Sequence, residues 1–221
     1  MISKQKKEIV VLLHGLGRTG RSMKKIAQAL EKEGYSPVVV DYPSRKHSIE
    51  TLADDVLHEV LESIGRGPRT RIHFVTHSMG GIIVRYYLKH HPMEALGRVV
   101  MLSPPNQGSE LVDVLKDSHF FRILHGPAGQ QLGTADLLLK SLGPVRFELG
   151  VIAGQTTADP VASRIIPGPN DGKVGVERTK VPGMKDFLLV PYSHTFIMRH
   201  KAVIDQVAHF LRHGVFLREP Q

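Results

Sequence analysis

Ser78 stands in Thr76-His77-Ser78-Met79-Gly80-Gly81, after the apolar pair Phe74-Val75 and before a helix-like stretch from Gly80 to His91. A serine hydroxyl attacks a carbonyl only when a base takes its proton and donors hold the oxyanion that forms. A strand that ends in a tight turn and restarts as a helix lifts such a serine above the sheet, in strained backbone geometry. The helix behind it adds a dipole that favours developing negative charge. Gly80 leaves room where the turn presses on its neighbours, and Gly81 lets the helix pack closely. The usual form of this turn is Gly-x-Ser-x-Gly. Here Thr76 takes the first glycine's place and demands extra space beside the turn.

A nucleophile of this kind needs partners. The glycine turn His14-Gly15-Leu16-Gly17 follows the first apolar run, so a backbone N–H there can face an oxyanion together with the N–H of the residue after the serine. The expected donors are Leu16 and Met79, and His14 reads as packing support for the loop. The chain has 13 histidines. His90, His91, His119 and His125 fall in the helix after Ser78 or in the long segment beyond it. His200, His209 and His213 fall in the last helix, and the His209/His213 pair alone is weak ground for a metal. His194 follows an apolar run and Pro191-Tyr192-Ser193, and the chain order serine, acid, histidine makes it the expected base. The acid then lies before it: Asp159 in Thr156-Thr157-Ala158-Asp159-Pro160, or Asp171 in Pro169-Asn170-Asp171-Gly172. Asp186 adjoins the next strand and comes too late. Asp171 is preferred, because a carboxylate in a glycine-containing loop can turn inward to orient an imidazole. An aspartate before proline reads more naturally as a turn residue.

These residues need a frame. The continuous β-branched and apolar run at residues 8–13 reads as a strand buried on both faces, and residues 37–40, 71–76, 99–102, 148–153 and 187–190 read as further strands. Between them, residues 20–33 place Met23, Ile26, Ala27 and Leu30 at helical spacing. A second helix starts from Ser48 and stops at Gly65-Arg66-Gly67-Pro68, and a last one covers residues 195–213. Alternation of this kind predicts a parallel sheet with helices on both faces and chemistry at the carboxyl ends of the strands. Residues 106–145 break the rhythm. They hold no clear strand but carry Leu111-Val112, Phe120-Phe121 and Leu137-Leu138-Leu139, as a lid or binding insertion does.

The bulk properties fit one globular domain spanning 1–221, with 41% apolar and 23% charged residues in 221. No apolar stretch is long enough to span a bilayer. The basic start, Met1-Ile2-Ser3-Lys4-Gln5-Lys6-Lys7, leads into an apolar run too short for a signal-peptide core, which points to a cytoplasmic chain or a processed form of a secreted one. The absence of cysteine excludes disulfides, thiol nucleophiles and thiolate metal sites. A net charge of +8 reads as a basic surface, with weak attraction to anionic lipid surfaces as its sharper meaning. Nucleic acid is not expected, since the basic residues are scattered and no binding motif accompanies them.

Taken together, His14-Gly15-Leu16-Gly17, His77-Ser78-Met79-Gly80-Gly81, Ser103-Pro104-Pro105-Asn106-Gln107-Gly108-Ser109 and Asn170-Asp171-Gly172-Lys173-Val174 followed by His194 resemble the bacterial lipases and esterases of the α/β-hydrolase superfamily. The third piece is similar to the Thr-Pro-His-x-Gly-Ser segment ahead of the lid in many lipases, with Ser103 and Asn106 in place of threonine and histidine. The fourth is similar to their acid loop. The resemblance implies a compact α/β-hydrolase fold of about six mostly parallel strands in the order 2-1-3-4-5-6, with a lid-like insertion at about 106–145. It also implies hydrolysis of carboxylic esters, lipid or small-molecule, through an acyl-enzyme with the triad Ser78, Asp171 and His194 and no cofactor. Some members carry a structural calcium, whose ligands are not placed here. Acyl transfer to another acceptor would use the same residues, and a non-catalytic scaffold on the same fold is the reading from a different class.

Overall fold

A computed structural model of the chain describes residues 7–64, 70–157 and 159–218. Six parallel strands form one sheet in the order β2-β1-β3-β4-β5-β6. They are β1 (Lys7–Leu13), β2 (Ser36–Val40), β3 (Thr70–His77), β4 (Leu96–Leu102), β5 (Leu149–Gly154) and β6 (Asp186–Val190). Both the strand count and the order agree with the expectation.

The period-2 geometry of the strands divides their apolar residues between two cores. On one face Val10, Leu12, Val75, Val100 and Ile152 pack against α1 (Lys24–Lys32) and α10 (Lys201–His213) through Ile26, Leu30, Val203, Val207 and Phe210. On the other face Ile9, Val11, Leu13, Phe74, Met101 and Val151 meet α4 (Met79–His90) and the helical stretch after Ser48. That stretch begins as α2 (Ile49–Thr51), passes through a π-helical Leu52–Leu57 and continues as α3 (His58–Ile64). Ser48 caps it, accepting from the Thr51 N–H at 3.3 Å. The glycine and proline stop expected at 65–68 lies outside the described residues.

Register aligns the strand ends and so creates the site. Leu13 lies beside Thr76, His77 beside Leu102, and Gly154 beside Val190. The turns that follow β1, β3, β4 and β5 therefore open on the same edge.

Residues 106–145 contain no strand and fold as three helices: α5 (Glu110–Leu115), α6 (His119–Gln130) and α7 (Leu137–Leu142). α6 is broken at Gly126, whose φ of 64° and close approach to the Arg45 carbonyl leave no room for a side chain. Two short helices not foreseen, α8 (Pro160–Ile165) and α9 (Val176–Thr179), flank the acid loop. The last helix starts later than expected. Residues 195–200 form only a 3₁₀ turn at Ile197–Arg199, and His200 is extended. Adjacent Ile197 and Met198 are both buried, and His200 stacks on Tyr192 with ring centroids 3.7 Å apart.

Candidate active site

Ser78 sits between β3 and α4 at φ 53° and ψ −126°, a conformation that few non-glycine residues adopt. The turn is this tight because its glycines accept close neighbours. A Cβ on Gly80 would lie 2.8 Å from the His14 carbonyl oxygen, and one on Gly15 would lie 2.8 Å from His77 Nδ1 and 3.0 Å from Ser78 Cβ. Gly81 resolves the departure at Thr76. A side chain at Gly81 would meet Thr76 Oγ1 at 3.2 Å and Met101 Sδ at 3.1 Å, so the missing Cβ supplies the space the threonine takes up.

The structure brings Ser78, His194 and Asp171 together across 116 and 23 residues of chain. His194 Nε2 lies 3.0 Å from Ser78 Oγ, and His194 Nδ1 lies 2.8 Å from Asp171 Oδ2. Asp171 is almost wholly buried, and its other oxygen accepts from the N–H groups of Lys173 (3.0 Å) and Val174 (2.9 Å). Burial alone would raise this carboxyl. The facing His194 and the donated hydrogen bonds outweigh burial and hold it below the usual aspartate value. The backbone is fixed as well, since the His194 N–H donates to the Asp171 carbonyl at 2.9 Å. Gly154 lets this loop close over β5, because a Cβ there would lie 2.9 Å from Asp171 Cβ. Asp159 does something else: it caps α8, accepting from the N–H groups of Val161 (2.9 Å) and Ala162 (3.2 Å).

Two contributors went unassigned from sequence. His77 is buried, and burial, followed by the neighbouring His194, pulls it well below the ordinary histidine value. Held neutral, its Nε2–H donates to the His194 carbonyl at 2.9 Å and fixes the segment that carries the imidazole. A histidine before Ser78 was visible, but its reach of 117 residues was not. Ser103, at φ 46°, accepts the Gly154 N–H at 3.3 Å and hydrogen-bonds Asp171.

His14 acts as packing support, as expected. Its ring stacks on Tyr42 with centroids 4.0 Å apart, Nδ1 donates to the Gly15 carbonyl at 2.8 Å, and Nε2 accepts the Tyr42 N–H at 3.3 Å. The turn it supports is pinned: the Gly17 N–H donates to Ser44 Oγ (2.9 Å) and the Arg18 N–H to the Gly15 carbonyl (3.2 Å). The N–H groups of Leu16 and Met79 take no protein acceptor among the described residues.

Asn106, standing where many lipases have histidine, has a structural role. It donates to the Thr179 carbonyl at 2.7 Å, and its Oδ1 and carbonyl oxygen each accept from Arg85 Nη1 at 3.0 Å. Arg85 is buried in α4, which brings its pKa down to about 10, and it also donates to the Gly143 carbonyl at 2.8 Å. The insertion is thereby clamped at both ends to the helix behind Ser78.

Ser78 opens on a cavity of about 240 Å³ lined by Leu16, Leu111, Val112, Leu115, Phe121, Leu132 and Val174, with Arg18, Ser109, His125, Lys173 and Thr195 among its polar members. Apolar side chains from the insertion thus form a wall within reach of the serine. No cluster of three or more histidine or carboxylate groups suited to a metal occurs among the described residues. No helix among them is long and apolar enough to cross a membrane.

Comparison with known proteins agrees with this architecture. Over 89 residues the chain is 32% identical to a thermostable monoacylglycerol lipase of Bacillus sp. (strain H-257), a match that takes in 38% of this chain and 36% of that protein. The fold is similar to that of the Bacillus licheniformis lipase BlEst2 in its mature form, with a TM-score of 0.76, 22% identity, and 94% and 93% of the two chains covered. It is also similar to phospholipase PlaB from Legionella pneumophila, with a TM-score of 0.72, 19% identity and 94% of this chain against 58% of that one. At these identities the two structures speak for the fold alone. The profile of the alpha/beta hydrolase family matches residues 10–202, and the chain belongs to that family.

Proposed function

We propose that this chain is a serine hydrolase that cleaves carboxylic esters through an acyl-enzyme. One observation carries the reading: the unbroken line of hydrogen bonds from Asp171 through His194 to Ser78 Oγ, ending at an apolar cavity. His194 takes the Ser78 proton as the oxygen attacks the carbonyl carbon, and Asp171 holds the imidazole in the tautomer with a free Nε2 and stabilises the imidazolium. The Leu16 and Met79 N–H groups face the developing oxyanion, and the start of α4 adds its dipole. The acyl–oxygen bond then breaks, and the alcohol leaves with the proton held by His194. Water, activated by the same base, releases the acid.

The apolar wall from α5 and α6 supports an acyl chain as the group held beside Ser78. Similarity to a monoacylglycerol lipase supports the same substrate class. A scaffold without catalysis would not need a strained serine in line with a buried Asp–His pair.

The test is covalent labelling with a fluorophosphonate probe. The wild-type chain is expected to take up one probe and Ser78→Ala none. An unlabelled wild-type chain would overturn the hydrolase reading, and a labelled Ser78→Ala chain would overturn the choice of nucleophile.

A further inference from the structure

Across the Leu16–Arg18 turn from the apolar cavity lies a second cleft, of about 450 Å³, into which Arg18, Arg21 and Arg199 all face. Thr19 and Ser22 complete its polar lining, and Leu16 and Arg18 line both spaces. None of the three arginines forms an ion pair among the described residues. Among the described residues, the Arg199 guanidinium lies against the Phe196 ring, 5.2 Å from its centroid. A fourth guanidinium, that of Arg45, lies over the same turn, where a Cβ on Gly17 would be 2.5 Å from its Nη2, and it too has no ion pair among the described residues. The neighbouring carboxylate, Asp41, instead accepts the Gly20 N–H (3.2 Å) and faces His14 (3.3 Å).

Unpaired like charges facing one cleft repel, and a bound anion relieves that repulsion. Burial, and next the charge of Arg199, pull Arg18 below the ordinary arginine value, so the cations do sense one another. A lone carboxylate is satisfied by one guanidinium fork. Three guanidinium groups lining one cleft call for a group with more oxygens and more charge, and a phosphate monoester offers three acceptor oxygens and nearly two charges at neutral pH.

We propose that this cleft binds a phosphate carried on the alcohol portion of the ester, so that the preferred substrate is the acyl ester of a phosphorylated alcohol. The inference rests on the hydrolase reading above and names its substrate class. With the acyl chain in the apolar cavity and the carbonyl carbon at Ser78 Oγ, the alcohol portion extends over the turn that the two spaces share. Cleavage follows the steps already given: the acyl–oxygen bond breaks, the alcohol takes the His194 proton, and the phosphate ester bond stays intact. The arginines act on binding and orientation of the leaving group.

The experiment compares a short-chain monoacylglycerol with its 3-phosphate, both kept monomeric, on wild type and on the double variant Arg21→Gln/Arg199→Gln. In wild type kcat/KM for the phosphorylated ester is expected to exceed that for the neutral one by about tenfold or more, as a charged hydrogen-bond pair allows. The double variant should lower that ratio at least about tenfold, and added salt should lower it in wild type. A wild-type ratio at or below one, or a ratio within about twofold of wild type in the double variant, would overturn the proposal. A second arm needs no turnover. Glycerol 3-phosphate should bind the Ser78→Ala chain by calorimetry and fail to bind when Arg21→Gln and Arg199→Gln are added; no binding to the Ser78→Ala chain overturns the proposal. If vesicles of anionic phospholipid bind the wild type through these arginines while soluble glycerol 3-phosphate does not, the cleft assignment also fails. Turnover of the neutral ester with no preference for its phosphate would sink this inference and leave the hydrolase reading standing. Failure of fluorophosphonate labelling beside intact glycerol 3-phosphate binding would sink the hydrolase reading and the ester assignment with it, and leave only the phosphate-binding cleft standing.

Discussion

The strand ends beneath Ser78 and the helices that cover them are built on opposite terms. Below, Ser78, His77, Asp171 and His194 are buried, and their contacts reach from β3 to the loop after β6. Above, α6 and α7 turn Phe120, Ile123 and Leu137 outward with 73%, 70% and 80% exposure, while Phe121 and Leu111 face the cavity. Catalysis needs donor and acceptor distances held to fractions of an ångström, which only a packed interior provides. An apolar substrate needs a surface that admits it, and a wall apolar on both sides suits that task. On the proposed function, the difference teaches that this fold separates the parts that set chemistry from those that set access.

The sharpest way to break that division is at Asp171. Asp171→Asn keeps the shape and removes the charge that selects the His194 tautomer, so turnover of a soluble p-nitrophenyl ester should fall about 10⁴-fold. Asp159→Asn preserves an N-cap and should stay within about twofold of wild type. If the larger loss falls on Asp159→Asn, the lower half has been assigned wrongly.

Acid probes the same half through its buried histidines. His73 in β3 accepts the Arg98 N–H on Nδ1 at 2.9 Å, and burial, opposed by Glu8, pushes its pKa down to about 4 from 6.5. A group whose folded pKa is depressed leaves the unfolded chain binding more protons. Its contribution is therefore complete above 6.5 and lost as the pH falls toward 4. At about 1.4 kcal/mol per pH unit, His73 alone should remove on the order of 3 kcal/mol over that window. His77 shifts in the same direction and adds to the loss. Urea unfolding at several pH values measures this, and a flat profile between neutrality and the low end of the window would mean that acid does not reach the sheet. In the insertion, His119 is exposed and His125 half-buried, so it contributes less.

The smallest expected effect concerns the upper half. Replacing Phe120 and Ile123 with serine removes exposed apolar surface that touches neither Ser78 nor the cavity. Turnover of an emulsified lipid ester should drop roughly tenfold, within the few kcal/mol that two large apolar side chains contribute at an interface. Turnover of a dissolved short-chain ester should change by less than about twofold. Equal losses on both substrates would place these helices in the chemistry and erase the division.

Much of the lower half was legible before any coordinates. Six apolar runs specify six strands, because backbone periodicity is written locally, although the edge strands β2 and β6 leave Val39 and Leu189 exposed. The same holds for the elbow, where Gly80 and Gly81 announce a close approach. The start of the last helix was misjudged at 195. The pattern of apolar residues continues through Ile197 and Met198, while His200 leaves the helical conformation and stacks on Tyr192.

Sequence by itself determined the strand–turn–helix at Ser78, the parallel alternation and the chain order serine, acid, histidine. Tertiary structure alone decided which acid faces His194, since Asp159 and Asp171 both sit in plausible turns and only the fold sends one to cap α8 and the other to the imidazole. It alone assigned His77 to hold the His194 backbone, Asn106 to fasten the insertion, and Arg18, Arg21 and Arg199 to one cleft. Side-chain periodicity is set over a few neighbouring residues, whereas these contacts join segments 20 to 180 residues apart. Only packing of the whole sheet fixes such distances.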